Sequence, residues 1–97
     1  MSTLEKTKTD SRLKRPSLWK VMILNDDFTP MDYVMACLME VFNKSEKEAY
    51  SLMMAVHQQG KGIAGVYPHS IAVEKKNIMN SLSKNNGHPL TTEIEEE

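Results

Sequence analysis

A single cysteine, Cys37, leaves no partner for an internal disulfide in this 97-residue chain and fits a reducing compartment. Long hydrophobic runs are missing as well. None approaches the roughly 18 residues that cross a bilayer, and Met1 to Arg15 holds no apolar segment of the kind a secretory signal needs. A cytoplasmic protein without a membrane partner is expected. Neither sign of charge is in excess: Lys and Arg number 12 and Asp and Glu 13, a formal net charge of -1. That balance argues against a nucleic-acid partner, whose usual footprint is a basic field. There is no Gly-rich phosphate loop and no nucleophile motif, and His57, His69 and His88 lack ligand-like spacing. Hydrolysis by His57 with Asp26 or Asp27, or a metal site made from those three, is thus poorly supported. No catalysis, cofactor or metal is expected.

What is present begins with an uneven distribution of charge. Met1 to Arg15 carries Lys6, Lys8, Arg12, Lys14 and Arg15 against Glu5 and Asp10, with only Leu4 and Leu13 to bury. So little apolar surface cannot offset the entropy of ordering, and residues 1–16 are expected to form a flexible tail ahead of one domain, 17–97. A domain of that size is near the limit at which a single core suffices without disulfides or metal. The chain closes on the acidic run Glu93-Ile94-Glu95-Glu96-Glu97.

The domain should be organised around Asn25-Asp26-Asp27-Phe28-Thr29-Pro30-Met31. The apolar run Leu18–Leu24 before it predicts a buried strand. Asn and Asp then leave the ladder, because their short polar side chains compete for backbone hydrogen bonds. Thr29 is expected to cap a helix by its hydroxyl, with Pro30 at the first helical position and Asp32 in the first turn. Met31, Val34, Met35, Leu38, Val41 and Phe42 fall at helical spacing and predict its core face, and Cys37 reads as packing. Ser45-Glu46-Lys47-Glu48 is a capping box that opens a second helix ending at Gln59, with Gly60 as its C-terminal cap. Ala49, Leu52, Met53 and Val56 form one stripe of it, and Tyr50, Met54 and His57 a neighbouring one. Gly60-Lys61-Gly62 is expected to break the chain, and Ile63–Tyr67 should be a second strand in which glycine permits close approach. Pro68 opens a third helix with Ile71, Lys75, Ile78, Met79 and Leu82 on one side, and Leu90–Ile94 alternates as a half-exposed third strand does. The order is βααβαβ: an α+β fold, a small three-stranded antiparallel sheet packed on one side against three helices.

Four segments together resemble the ClpS family, adaptors of the ClpAP protease: Asn25 to Met31, Leu52 to Lys61, Gly65-Val66-Tyr67 and His88-Pro89-Leu90. The similarity spans about residues 17 to 94. It implies a non-catalytic protein, monomeric when free, that binds the exposed N-terminal Leu, Phe, Tyr or Trp of a substrate protein, its N-degron. It also implies delivery of that substrate to the N-terminal domain of a ClpA-type AAA+ unfoldase, with the tail engaged during delivery. The family likeness assigns the α-ammonium to Asn25, Asp26, Asp27 and His57. It assigns the side-chain pocket to Met31, Val34, Met53, Val56 and Leu90, with Thr29 at the rim, and partner docking to Phe28 and Lys75. Phe28 stands where a Tyr is frequent, and Ser70 and Val73 where acidic residues often help docking.

The residue chemistry is compatible with those roles. An ammonium is a compact, donor-only cation and needs acceptors that converge; Asn25, a carboxylate of Asp26 or Asp27, and a neutral imidazole of His57 are such acceptors. The bland alternative is that Asn25, Asp26 and Asp27 only form an Asx turn. Eight methionines can reshape a cavity around different ligands, a role expected of Met31 and Met53, whereas Met22, Met35 and Met79 read as core filler. The fold also resembles the C-terminal domain of the large-subunit ribosomal stalk protein. Such an interaction domain would not need the acidic turn and His57 to converge.

Overall fold

In the computed structural model, which describes residues 17–97, the apolar run after Ser17 becomes the middle strand of a sheet. The elements are β1 (Leu18–Leu24), α1 (Met31–Val41), α2 (Glu46–Gln59), β2 (Lys61–Pro68), α3 (His69–Asn85) and β3 (Thr91–Glu96). This is the expected βααβαβ order and α+β class. The expected tail, 1–16, lies outside the described residues. The strand order is β2-β1-β3, and β1 runs antiparallel to both neighbours. Val21 and Ile23 on one face of β1 are completely buried, and Met22 on the other is nearly so, as befits a strand paired on both edges. In the β1–β2 ladder, Val21 faces Gly65 and Met22 faces Ile63, so Ala64 is the extra residue of a bulge.

The core forms where Val21, Ile23 and Ala64 of the sheet meet Val34, Cys37 and Leu38 of α1, Ala49, Met53 and Val56 of α2, and Ala72 and Met79 of α3. Cys37 is therefore packing, and Met22, Met35 and Met79 fill space as expected, Met35 from a half-buried position against the core. Helix α2 begins as its capping box requires: Ser45 Oγ accepts from the Glu48 N–H at 3.1 Å, and the Ser45 N–H donates to Glu48 Oε1 at 2.9 Å. It ends at Gly60, whose φ of 93° is left-handed and whose N–H reaches the Val56 carbonyl at 2.9 Å.

Four expectations need correction. Thr29 does not cap α1. The helix starts at Met31 with Pro30 in the cap position and no side-chain cap bond, and the Thr29 hydroxyl donates instead to the carboxylate of Asp26. With Pro30 in the cap position, Thr29 lies one residue outside the helix end, and Pro30 has no side-chain acceptor to offer. Strand β2 is longer than Ile63–Tyr67, since Lys61 and Gly62 pair with Leu24 and Ile23. Leu90 precedes β3 instead of opening it, and the strand continues to Glu96, opposite Trp19. Helix α3 is turned from the face that its large apolar residues suggest. Ala72, Met79 and Ser83 are buried, while Ile71, Ile78 and Leu82 keep 37–40% of their surface exposed. Small residues on the inner face let α3 lie close to the sheet, and Asn80 then clasps the edge of β3, donating to the Thr92 carbonyl and accepting from its N–H.

Gly62 sets how closely α2 approaches β2, because a Cβ there would lie 2.8 Å from Val56 Cγ2 and 3.1 Å from Leu52 Cδ1. Val56 is β-branched on a helix and has little rotamer freedom to yield. Gly62→Ala should therefore cost about 1–3 kcal/mol by overpacking, seen as a lower midpoint in thermal unfolding followed by circular dichroism. An unchanged midpoint would mean that α2 can move aside freely.

Candidate functional site

The acidic turn is built by Asp26. Its Oδ1 accepts from the N–H groups of Phe28 at 2.8 Å and Thr29 at 2.7 Å, and the Thr29 hydroxyl donates to Oδ1 at 3.0 Å and Oδ2 at 2.7 Å. The Asx-turn alternative is thus realised by Asp26 itself, without removing that residue from the cavity described below. One residue earlier, the Asn25 N–H donates to the carbonyl of Gly60 at 2.9 Å. That bond joins the end of β1 to the end of α2, whose last turn carries His57.

These two ties place the sequence-predicted residues around one cavity of about 160 Å³. Asn25, Asp26, Asp27 and His57 line it together with Thr29, Met31, Val34, Met53, Val56 and Leu90. The acceptors come from the β1–α1 turn and the last turn of α2. The apolar wall comes from α1, the inner face of α2 and the segment before β3. Val34, Met53, Val56 and Leu90 are each no more than 7% exposed and belong to the core, whereas Met31, at 41% exposed, stands at the margin. The volume falls below the roughly 300–1,000 Å³ of pockets for drug-sized ligands and suits one side chain.

Burial raises the pKa of Asp26, but the Thr29 hydroxyl, the Phe28 and Thr29 N–H groups and the charge of His88 outweigh it, so its carboxyl titrates below the ordinary carboxylate value. Its stabilising bonds are therefore complete above the unfolded-state pKa and are lost as pH falls through the lowered folded value. At neutral pH the turn presents a carboxylate. Oδ1 already accepts from three donors, leaving Oδ2 with spare acceptor capacity.

Phe28 and Lys75 do not line the cavity. Phe28 projects from the turn with 81% of its surface exposed. Lys75 is half-buried, its ammonium donating to the carbonyl of Val41 at 2.7 Å and lying 5.9 Å and 5.8 Å from the ring centroids of Phe42 and Tyr67. It satisfies the C-terminal end of α1, so contact with a partner would require it to exchange that bond. Cys37 is buried, which raises its thiol pKa and makes it a poor nucleophile. Among the described residues, no three His, Cys, Asp or Glu side chains gather as a possible metal-binding group.

Sequence reasoning gave no role to His88, although it noted the His88-Pro89-Leu90 motif. The His88 ring packs on Tyr33 with centroids 4.4 Å apart, and its charge acts on Asp26. The available signal was its place two residues before Leu90, a pocket residue.

Comparisons with known proteins identify the family and related structures. Residues 14–93 match the family model described as ATP-dependent Clp protease adaptor protein ClpS. A ClpS adapter of Deinococcus radiodurans is 46% identical over 95 residues, covering 98% of this chain and 80% of the relative. One of Shewanella pealeana is 46% identical over 87 residues, covering 90% and 85%. The structure of Agrobacterium tumefaciens ClpS2 bound to L-phenylalaninamide is similar with a TM-score of 0.83 at 40% identity, covering 86% of this chain and all of that one.

Thr29→Val keeps the shape of the side chain but removes the hydroxyl donor. The Asp26 pKa should rise toward the ordinary carboxylate value, as a carbon-detected NMR titration would read. An unmoved titration would assign the lowering to the two N–H groups and the charge of His88.

Proposed function

The chain belongs to the ClpS family of ATP-dependent Clp protease adaptors, and from that premise we propose that its cavity binds the N-terminal residue of a substrate protein. The acceptors Asn25, Asp26, Asp27 and His57 take the α-ammonium. The recess formed by Met31, Val34, Met53, Val56 and Leu90, with Thr29 at the rim, takes a Leu, Phe, Tyr or Trp side chain. The substrate is then delivered to the N-terminal domain of a ClpA-type AAA+ unfoldase in the cytoplasm, with residues 1–16 engaged during delivery and Phe28 and Lys75 near the docking surface. The adaptor acts as a monomer and performs no chemistry.

One observation supports this reading: a single cavity is lined both by acceptor-bearing side chains and by side chains of the core. An N-terminal residue is unusual in offering a cation and an apolar group on the same carbon. Phenylalaninamide, the ligand of the solved relative, has the same arrangement, a free α-amine and an aromatic side chain followed by an amide. An interaction domain of the ribosomal-stalk kind has no need for that convergence.

The test is a pair of Leu-initiated peptides that differ only in N-terminal acetylation. The free amine should bind and the acetylated twin should lose about 10³-fold in affinity, taking two charge-assisted bonds at about 2 kcal/mol each. Equal anisotropy titrations for the two peptides would overturn the proposal. His57 accepts only while neutral, so acidification should weaken binding, and His57→Ala should reduce affinity at neutral pH and flatten that dependence.

Met31 sits where the first side chain enters. Met31→Ala should open room for the second methyl of a β-branched residue, so that Ile- and Val-initiated peptides bind measurably closer to Leu. Unchanged discrimination between Leu and Ile would remove Met31 from the selectivity filter.

A further inference from the structure

We propose that the outer edge of β3 is a docking site for the chain's own basic segment, residues 1–16, which adds to the sheet there as a fourth strand. The inference is independent of the N-terminal-residue reading and concerns a surface to which that reading gives no role.

The main chain of β3 shows where that edge is open. The Thr92 N–H donates to Asn80 Oδ1 at 3.0 Å and its carbonyl accepts from Asn80 Nδ2 at 3.1 Å, so both groups point away from β1. The Glu97 N–H donates to the Leu18 carbonyl at 2.9 Å, toward β1. Successive residues of a strand turn their main-chain groups to opposite edges, which places those of Ile94 and Glu96 on the same side as those of Thr92. The Asn80 clasp ends at Thr92, and among the described residues no strand lies beyond β3. Ile94 and Glu96 thus present a short ladder to a further strand.

Charge selects the occupant. Ile94 packs inward against the core, so Glu93 and Glu95 project from the opposite face and Glu97 follows in the same alternation, all three exposed. Lys20, the only cation of β1, stands opposite Glu95. A second copy of β3 would set carboxylates against carboxylates, which opposes pairing. The sequence before Ser17 has the complementary pattern: Lys6, Lys8, Arg12 and Lys14 occupy alternate positions, interrupted by Asp10. With a side-chain period of two, an extended segment puts these on one face, a row of cations at the spacing of the carboxylates. The other edge of the sheet, β2, carries Lys61 and no acidic residue, so it does not compete.

The segment is also within reach. Glu97 is bonded to Leu18, so the chain enters β1 beside the acidic end of β3. Rounding β3 to its far edge crosses two strand spacings, roughly 10 Å, which about three extended residues span. The residues before Lys14 can then run parallel to β3, past Ile94 and Glu96. Main-chain bonds and charge hold such a strand without a large apolar surface, which fits a segment with only Leu4 and Leu13 to bury. Exposed charge pairs weaken with salt, so docking is reversible. While docked, the segment is withheld from any partner that takes it as an extended chain.

Trypsin cleaves after the basic residues of 1–16, and its rate there tracks the undocked population when docking is fast. Wild type is compared with a triple variant, Glu93→Gln, Glu95→Gln and Glu97→Gln, whose exposed side chains keep their shape without charge. At low ionic strength the variant should be cut in that segment about three- to tenfold faster, the size of two or three exposed charge pairs. The difference should close at about 0.5 M salt. Amide hydrogen exchange followed by NMR reads the geometry. Deleting Ser2 to Lys14 should speed exchange at Ile94 and Glu96 and leave Glu93 and Glu95, whose N–H groups face β1, unchanged. Equal cleavage of wild type and variant would overturn the proposal. So would exchange at Ile94 and Glu96 that is indifferent to the deletion, since diffuse attraction without a strand gives that result. Protection that grows with protein concentration would overturn docking within one chain in favour of a second copy's segment.

Discussion

The carboxylate of Asp26 is the constraint on which the site depends. Three donors converge on it, the N–H groups of Phe28 and Thr29 and the Thr29 hydroxyl, and they set how the chain leaves the central strand and enters α1. Charge-assisted bonds of this kind are shorter and stronger than neutral ones, which suits them to fixing the path of the turn. The bond from the Asn25 N–H to the Gly60 carbonyl then binds this turn to the end of α2. Residues more than thirty positions apart share one cavity because two short polar contacts hold two chain ends together.

The cavity and the core are continuous. Val34, Met53, Val56 and Leu90 belong to both, so a side chain entering the site adds to an apolar cluster that already exists. Packing density makes such a wall stiff, and changes to these four residues would be felt as stability as well as affinity. Met31 and Thr29 are more exposed, leaving the rim as the part that can vary without disturbing the fold. An unbranched thioether at that rim adapts more readily than a β-branched side chain would.

Much of this was legible in the chain itself because the signals were local. The Ser45 to Glu48 capping box, the Gly60 terminator and the Leu18–Leu24 strand each rest on a few adjacent residues, and each appears as read. Helix α3 was less legible. Its large side chains suggested a face through Ile71, Ile78, Met79 and Leu82, but of these only Met79 is buried, together with Ala72 and Ser83. Hydrophobicity alone favours bulky residues, whereas close packing of a helix on a sheet favours small ones, and only the sheet decides between them. The bulge at Ala64 and the clasp of Asn80 on Thr92 left no sequence signal, since both depend on strands far away in the chain.

The sequence by itself determined the order of elements, the position of the acidic turn and the residue types able to receive a cation, because these follow from hydrogen-bonding capacity and hydrophobic period over a few residues. Family resemblance extended this to ten pocket positions. Tertiary structure alone decided that Asp26 would shape the turn while lining the cavity, that Lys75 would spend its ammonium on the end of α1, and that His88 would rest on Tyr33. The physical reason is common to all three. A polar side chain takes the strongest partner within reach, and which partners lie within reach is settled only when distant segments pack.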